Sequence, residues 1–223
     1  MTASIDDKLI DQARSNLYTA VLSDTLDAFG FYEQATHPSI RPLDDTLVLC
    51  GRARTGLYME IHHDDPAVNI YEKEIDLVDD LKPDDVAVFA CSGNLRIAPW
   101  GELLSTAAHA RGASGCVTDG LVRDVRSIRA MGFPVFSGGI GPLDTRHRGM
   151  MMEADVPARI GGVKVESGDL IFGDVDGLVI IPKEITTDVI ARATEKVAAE
   201  NMTRDELKKG TLLREVYEKY GVL

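Results

Sequence analysis

The stretch "WGELLSTAAHARGASGCVTDGLVRDVRSIRAMGFPVFSGG", residues 100–139, contains two helix-forming runs, each followed by a short apolar run. The first is rich in leucine and alanine, which favours a helix that starts near Gly101 and stops at Gly112. "SGCVTDG" is typical of a buried strand with its exit turn. A second helix is predicted over 123–132, with Gly132 as its stop, and "FPVFSGG" is typical of the next strand. Strands that alternate with helices pair in parallel, so the pattern predicts an α/β core.

The chain before this stretch predicts two helices and two strands. Residues 5–22 carry apolar side chains at four-residue spacing, which is typical of an amphipathic helix. A second short helix is predicted over 23–30, with Ser23 as its N-cap and Gly30 as its stop. "TLVLCGRARTGLYME" predicts a strand, and "DLVDDLKPDDVAVFACSG" predicts a short helix or turn followed by another strand. The apolar positions of the first helix are Ile5, Leu9, Ala13, Leu17 and Val21.

The chain after this stretch changes from strand to helix. "GGVKVESGDLIFGDVDGLVIIP" has short β runs between turns, which predicts an antiparallel or barrel-like section. Residues 183–210 predict a long helix with a candidate break near Met202, and "TLLREVYEKYGVL" predicts more helix. Since no repeat or linker is visible, we expect one domain over residues 1–223. Its core covers about residues 20–185, and residues 186–223 form a C-terminal helical arm.

Composition limits the classes of function. The net charge of −12 repels phosphate backbones, so nucleic-acid binding through a broad basic surface is not expected. A small anionic substrate would need a local positive site. No run of about 18 apolar residues and no signal-peptide pattern is visible, so we expect a cytoplasmic protein without a membrane segment. Cys50, Cys91 and Cys116 lie in apolar runs without C-x-x-C spacing, which is typical of buried hydrophobic residues.

"DGLVRD", residues 119–124, places Arg123 and Asp124 where a strand ends and a helix begins. In α/β sheets, ligands collect outside the carboxyl ends of the strands. Arginine can hold a carboxylate through two hydrogen bonds, and aspartate offers an oxygen ligand for Mg²⁺. The alternative is that Asp124 only caps the helix and Arg123 is a surface residue.

The start of the preceding helix offers a second set of binding groups. The backbone N–H groups of Leu103 and Leu104 would point out of the helix N-terminus, towards an anion. Glu102 adds a carboxylate, although an acidic residue in a first helical turn is also common for stability alone. Twenty residues separate Glu102 from Arg123, enough for one helix and one strand. We therefore expect Glu102, Arg123 and Asp124 to share one crevice.

An acidic residue, twenty residues and then Arg-Asp resembles the D-x20-R-D signature of the class II pyruvate aldolases. These enzymes cleave 4-hydroxy-4-methyl-2-oxoglutarate and 4-carboxy-4-hydroxy-2-oxoadipate. Their fold family also contains RraA, the regulator of ribonuclease E activity. The similarity extends to "LSDTLDAFG", "GRARTG" and "GGVKVESGDLIFGDVDGLVIIP", and so covers most of the chain. It implies an α/β, RraA-like swivelling β/β/α-type single domain with helical N- and C-terminal arms, assembled as a homotrimer or hexamer with sites between subunits.

The resemblance also implies a role for each matching residue. Asp124 would coordinate Mg²⁺ or Mn²⁺ directly, and Glu102 would hold the metal through water. Arg123 would bind the carboxylate or keto oxygen of a pyruvate-like moiety. Glu102 stands where the family signature has aspartate and is one methylene longer, which bears on metal geometry and substrate identity.

Two further parts of the site are implied by the same resemblance. The backbone at Gly101, Leu103 and Leu104 would receive the substrate carboxylate. A C-terminal glutamate would come from a neighbouring subunit; Glu200 is the best match and Glu195 is its rival.

The implied reaction is retro-aldol cleavage of a 4-hydroxy-2-oxo acid to pyruvate, with oxaloacetate decarboxylation as a side activity through the same enolate. No lysine lies in residues 100–124, which argues against a Schiff-base aldolase. The sequence shows no convincing side chain for the general base, so we expect a metal-organised water. One alternative is a non-catalytic RraA-type regulator that binds a ribonuclease complex. Another is a metal-binding α/β domain that acts on a different 2-oxo acid.

Other motifs have simpler interpretations. "HHDD", residues 62–65, has metal-binding residue types, but we expect a solvated loop because adjacent side chains rarely converge on one ion. "DVDG", residues 174–177, is interpreted as a turn since the rest of a calcium-loop pattern is missing. His109 lies two helical turns from Glu102, too far for an expected role as base. Trp100 is expected to pack at the helix start.

Overall fold

The computed structural model describes residues 7–63 and 65–221 and has mixed α/β architecture. The described helices are α1 (Asp7–Asn16), α2 (Thr19–Ala28), α3 (Glu72–Asp79), α4 (Glu102–Ala110), α5 (Val125–Met131), α6 (Thr186–Lys208) and α7 (Leu213–Tyr220). The described strands are β1 (Arg41–Pro42), β2 (Leu49–Glu60), β3 (Asp85–Ala90), β4 (Gly115–Val122), β5 (Val135–Ile140), β6 (Gly149–Ala154), β7 (Ala158–Ile160), β8 (Val163–Val165), β9 (Leu170–Asp174) and β10 (Gly177–Ile181).

One mixed sheet forms the centre of the fold, in the order β1-β5-β4-β3-β2-β9-β10, with β6 paired to β2. The strands β2, β3, β4 and β5 pair in parallel. The strands β1, β6, β9 and β10 pair with antiparallel neighbours, and β7 and β8 form a separate antiparallel pair. The predictions of a parallel α/β core and an antiparallel C-terminal section are therefore confirmed.

The strand β3 lies inside the sheet and is covered on both faces. All six of its residues are buried, as expected for a parallel strand with packed layers above and below. Ala87 and Phe89 pack into the apolar cluster that includes α3, α4 and α5. Val86 and Val88 point to the other face, where β7 and β8 cover the sheet. A third cluster joins α1, α2 and α6 to β9 and β10.

The N-terminal helices differ from the prediction. The chain breaks at Leu17 and Tyr18 rather than near residue 22, and Ser23 lies inside α2 instead of capping it. The cause is tertiary: the Asp174 carboxylate accepts hydrogen bonds from the Thr19 backbone N–H (2.8 Å) and hydroxyl (2.6 Å) and so caps α2 at that point. The stop at Gly30, with φ +84°, is confirmed. Ile5, at the predicted start of the first helix, lies outside the described residues.

The C-terminal helix α6 is continuous, so the candidate break near Met202 was wrong. Residues 186–208 contain neither glycine nor proline, the residues that most often interrupt a helix. Thr203, next to Met202, is buried, so the helix is packed against the fold at this point. The chain turns instead after Gly210, which has φ +90°. The helix packs against α1, α2 and α7. Among the described residues, no helix is both long and apolar enough to cross a membrane.

Candidate functional site

The start of α4 and the end of β4 lie side by side. Trp100 and Val122 form an isolated parallel bridge, and the Arg123 N–H donates to the Trp100 carbonyl oxygen at 3.1 Å. Helix α4 and strand β4 connect these two residues and bring the chain back beside the start of α4. The structure thus brings Arg123 and Asp124 beside Gly101 and the first turn of α4.

The strand β4 continues through the segment for which an exit turn was predicted, and that part of the prediction was wrong. An irregularity in the pairing with β5 falls between Thr118 and Leu121 and accommodates one extra residue on β4. Asp119 lies in this irregular part of β4, and its carboxylate accepts hydrogen bonds from the backbone N–H groups of Cys91 (2.6 Å) and Gly93 (2.8 Å), which follow β3. Burial raises the pKa of Asp119 above its ordinary value. The continued strand carries Arg123 to the cavity at the start of α4.

Asp124 occupies the N-cap position of α5, but its side chain does not cap that helix. Its backbone is left-handed, with φ 59° and ψ 27°, a conformation that aspartate tolerates better than most residues. Instead, Oδ2 accepts a hydrogen bond from the Glu102 backbone N–H, at 3.3 Å, at the start of α4. The alternative of a simple cap for α5 was therefore wrong: the carboxylate serves the neighbouring helix.

Gly101 permits this close approach. A Cβ at this position would lie 2.9 Å from Asp124 Oδ2, 3.2 Å from Arg123 Cγ and 3.3 Å from Arg123 Nε. The Gly101 backbone is extended, with φ −156°, so any residue could adopt it. The requirement for glycine here is space, not backbone freedom.

The Arg123 guanidinium lies between two carboxylates. Its Nε is 3.7 Å from Asp124 Oδ2, and its Nη1 is 3.5 Å from Asp144 Oδ2. Nη1 also donates to the Leu143 carbonyl oxygen at 3.5 Å. The side chain is 39% exposed and lines a cavity, so these contacts position it while part of it stays accessible. Arg123 is thus not simply a surface residue.

A cavity of about 240 Å³ opens beside these groups. The residues around it are Tyr71, Glu74, Ile75, Ala98, Pro99, Trp100, Gly101, Leu103, Leu104, Arg123, Asp124, Asp144 and Thr145. The N–H groups of Leu103 and Leu104 belong to the first turn of α4, which has no preceding helical carbonyl groups to bind. A positive helix terminus and one guanidinium therefore face the same space, which suits a small carboxylate.

Glu102 contacts the site through its backbone N–H, which binds Asp124, and not through its carboxylate. Its Oε1 accepts a hydrogen bond from the Thr106 hydroxyl at 2.9 Å, one turn along α4. The residue is not among those that line the cavity. Its role in holding a metal through water stays a prediction.

Glu200 and Glu195 lie on α6, away from this cavity within one chain. Glu200 accepts a hydrogen bond from the Tyr18 hydroxyl and is 3.9 Å from Arg204. Glu195 pairs with Arg192 at 3.0 Å. Either glutamate can serve this site only from a second subunit, which stays a prediction.

Three cavity residues were missed by the sequence analysis: Tyr71, Glu74 and Asp144. The Tyr71 hydroxyl donates to Asp144 Oδ2 at 2.9 Å. Although burial opposes it, this hydrogen bond together with the charge of Arg123 holds the pKa of Asp144 below its ordinary value.

One signal in the sequence was available for Glu74, which shares a helical face with the apolar residues Leu77 and Val78. An acidic residue on such a face is expensive to bury and indicates a special role.

Glu74 is 6% exposed, and its Oε2 accepts a hydrogen bond from the buried Tyr58 hydroxyl at 2.5 Å. Burial raises its pKa from 4.5 to about 7, with a smaller contribution from the Asp144 charge. The Tyr58 hydrogen bond and the Arg123 charge act in the opposite direction. The cavity thus contains a carboxyl group that changes protonation near neutral pH.

The raised pKa of Glu74 predicts a loss of stability as pH rises. The folded protein binds this proton more tightly than the unfolded chain does, so the contribution is complete below 4.5 and is lost as pH rises through about 7. Across that window it amounts to about 3 kcal/mol. We expect Glu74→Gln, which keeps an acceptor for Tyr58, to remove this dependence. Denaturant unfolding at about pH 5 and about pH 8 measures it, and equal pH dependence in both proteins would contradict it.

The donor set fits Mg²⁺ better than a metal that needs several protein ligands. Among residues 7–63 and 65–221, no group of three or more His, Cys, Asp or Glu side chains is placed to hold a metal ion. Mg²⁺ commonly takes one or two carboxylates and keeps several waters. Asp124 suits this pattern, since it is half-exposed, lies at the cavity and has only Oδ2 hydrogen-bonded within the described chain.

The remaining motifs follow their simpler interpretations. His62 and His63 are exposed in a loop, and Asp64 lies outside the described residues. Residues 174–177 connect β9 to β10 as a turn. Trp100 is buried, and its Nε1 donates to Ser105 Oγ at 2.8 Å. His109 is exposed, with its ring centroid 5.9 Å from that of Phe133.

The three cysteines are free and buried, as predicted. Burial raises the pKa of Cys50 to about 12 and raises the pKa of Cys91 and of Cys116 well above the ordinary value of a thiol. A thiol held in its protonated form is a poor nucleophile. These positions therefore act as core residues.

Similar proteins point to one family. A Halalkalibacterium halodurans protein named "Putative 4-hydroxy-4-methyl-2-oxoglutarate aldolase" is 32% identical over 180 residues, which are 81% of this chain and 80% of that protein. Protein DlpA of Legionella pneumophila subsp. pneumophila is 29% identical over 205 residues, which are 92% of this chain. Those residues are only 32% of DlpA, so the chain spans about a third of that protein's length.

The fold is shared with solved structures. The crystal structure of Streptomyces coelicolor RraAS2, an unusual member of the RNase ES inhibitor RraA protein family, aligns with a TM-score of 0.80. The two are 25% identical, and the alignment covers 91% of this chain and 98% of that chain. The family model described as "RraA-like: Aldolase/RraA" matches residues 19–180. That match confirms the resemblance read from the sequence, and this chain belongs to the RraA-like (Aldolase/RraA) family.

Proposed function

We propose that the protein is a divalent-metal-dependent class II aldolase. It cleaves 4-hydroxy-4-methyl-2-oxoglutarate, or a related 4-hydroxy-2-oxo acid, to pyruvate and a second carbonyl compound. The observation that carries this proposal is the placement of Arg123 and Asp124 against the N-terminus of α4, in one cavity with Leu103 and Leu104. The name of the Halalkalibacterium relative supports the substrate class.

Each group at the cavity has a part in this reaction. The N–H groups of Leu103 and Leu104 bind the substrate carboxylate, and Arg123 places a fixed positive charge beside the keto oxygen. Asp124 would hold Mg²⁺ or Mn²⁺, with Glu102 acting through water. When bound, that metal supplies Lewis-acid stabilisation of the enolate charge left by carbon–carbon cleavage. Loss of CO₂ from oxaloacetate leaves the same enolate, so decarboxylation of oxaloacetate is the expected side activity.

Pyruvate release, coupled to lactate dehydrogenase and NADH, tests the proposal. We expect release from 4-hydroxy-4-methyl-2-oxoglutarate with Mg²⁺ and its loss with EDTA. Release of pyruvate from oxaloacetate but not from the hydroxy acid would support a site that stabilises the enolate, and would contradict the proposed substrate. Metal-independent release, or a borohydride-trapped adduct with pyruvate, would contradict the metal mechanism.

The proposed enzyme is a homotrimer or hexamer in which Glu200, or Glu195, comes from a neighbouring subunit. Neither glutamate lines the cavity of its own chain, which is compatible with this arrangement. Glu195 is exposed on α6, whereas Glu200 is half-buried and accepts a hydrogen bond from the Tyr18 hydroxyl. Light scattering should show three or six times the 24.3 kDa chain mass. A stable, active monomer would contradict the shared site.

A second candidate function is a non-catalytic regulator that binds a ribonuclease complex. Two observations favour it: the likeness to RraAS2 and the net charge of −12, which suits basic segments of a protein partner. Affinity capture with a purified ribonuclease complex tests it. Metal-dependent aldol cleavage without capture would leave the enzyme as the function, whereas capture without cleavage would favour the regulator.

A further inference from the structure

We infer that Glu74 is the proton carrier of the reaction, the side chain that takes the proton of the substrate 4-hydroxyl and returns a proton to carbon 3 of the pyruvate enolate. This inference rests on the proposed aldolase function. It replaces the metal-organised water expected from the sequence with a side chain of this chain.

The position of Glu74 supports this role. Helix α3 directs the residue into the fold, and it lines the same cavity as Arg123, Asp124 and the first turn of α4. The Tyr58 hydroxyl binds Oε2 at 2.5 Å and fixes the carboxyl group. Oε1 accepts no hydrogen bond from the described residues, so one oxygen is available to a ligand.

The surroundings of Glu74 keep both of its protonation states accessible. The titratable and charged side chains that act on it, or that it acts on, are Tyr58, Tyr71, Cys91, Cys116, Arg123 and Asp144. Burial and the Asp144 charge favour the neutral carboxyl, whereas the Tyr58 hydrogen bond and the Arg123 charge favour the carboxylate. A group balanced in this way is suited to general acid–base catalysis at neutral pH.

The other polar groups at the cavity are less suited. Asp144 binds the Tyr71 hydroxyl and the Arg123 guanidinium, which hold its pKa low. Tyr71 has a raised pKa because of burial, so its phenol is a poor base. The Glu102 carboxylate is bound to Thr106 outside the cavity lining.

The proton transfers balance over one turnover. The Glu74 carboxylate takes the hydroxyl proton, and the electron pair of that O–H bond forms the carbonyl of the second product. The C3–C4 bond breaks, and its electron pair enters the enolate of pyruvate. The Glu74 carboxyl then gives the proton to carbon 3, the enolate returns to a ketone, and the carboxylate is restored.

Exchange of the pyruvate methyl protons with deuterium isolates the second transfer. It is followed by proton NMR in D₂O with the full-length protein and Mg²⁺. We expect Glu74→Gln to slow exchange at least about 100-fold, while its affinity for pyruvate stays within about threefold. The matched control is Glu72→Gln, which removes the same charge from an exposed position on the same helix and should exchange like wild type.

The outcomes separate the two proposals. If the wild-type protein cleaves the hydroxy acid but Glu74→Gln still exchanges within about threefold of it, the role of Glu74 is wrong and the aldolase stands. If the wild-type protein neither cleaves nor exchanges, the proposed function fails, and the role of Glu74 fails with it.

A second variant, Tyr58→Phe, tests the pH midpoint of exchange, which would not change if Glu74 had only a structural role. Removing the Tyr58 hydrogen bond raises the pKa of Glu74, because that bond favours the carboxylate. Exchange requires the ionised Glu74 carboxylate as the base, so its rate in the wild-type protein should rise with pH, with a midpoint at about 7. The midpoint should move to higher pH in Tyr58→Phe. A lower rate with an unmoved midpoint would overturn the inference.

Discussion

Replacing Asp124 with alanine should reduce metal-dependent pyruvate release by on the order of 10³-fold or more. The variant loses the proposed direct metal ligand, and stabilisation of enolate charge by a metal contributes several kcal/mol, where about 1.4 kcal/mol is tenfold in rate. Arg123 also loses the carboxylate that lies 3.7 Å from its Nε. The coupled pyruvate assay with saturating Mg²⁺ measures the change.

Asp124→Asn is the matched variant for this experiment. Asparagine tolerates the left-handed backbone at this position and keeps an oxygen that can accept from the Glu102 N–H. We expect it to fold like the wild-type protein and yet lose most Mg²⁺ affinity, measured by calorimetry with the metal alone. Near-normal turnover in Asp124→Ala would refute the assignment of the metal and of the reaction class.

Gly101→Ala is expected to lower activity by on the order of 10²-fold, because misplacement of catalytic groups by about 1 Å has an effect of that size. The added methyl group would meet Asp124 Oδ2 at 2.9 Å and Arg123 Cγ at 3.2 Å, so both side chains must shift. The backbone at Gly101 needs no left-handed conformation, so stability should change little. Activity assays and thermal unfolding of the same preparation separate the two effects.

Gly30→Ala is a control with the opposite pattern. Gly30 has φ +84° at the end of α2, and a Cβ there meets nothing within 4 Å. Alanine should therefore lower stability by about 1 kcal/mol through backbone strain, with activity unchanged. Activity of Gly101→Ala within about threefold of wild type would show that close approach at Gly101 does not position Arg123 and Asp124.

Local signals accounted for most of the elements that build the site. Helix α4 and strand β4 were predictable because composition and glycine stops act within a few residues along the chain. The convergence of Arg123 with the start of α4 followed from the twenty residues between Glu102 and Arg123. That inference needs only the geometry of one helix and one parallel strand.

Contacts between distant residues decided where the predictions failed. The break before Thr19 depends on the carboxylate of Asp174, which is 155 residues away in the chain. The Asp124 carboxylate caps α4 instead of its own helix because the left-handed backbone redirects it. No pattern around either residue could show these partners.

The sequence by itself determined the alternation of helices and strands, the glycine stops and the pairing of Arg123 with Asp124, since each depends on neighbours along the chain. Only the tertiary structure decided which carboxyl group has a pKa raised to about 7. The pKa of Glu74 depends on the water excluded by α3 and the sheet, and on the hydroxyl of Tyr58 from β2. The apolar residues Leu77 and Val78 on the same helical face indicate that Glu74 is buried, but the extent of its desolvation and the groups around it depend on the folded surroundings.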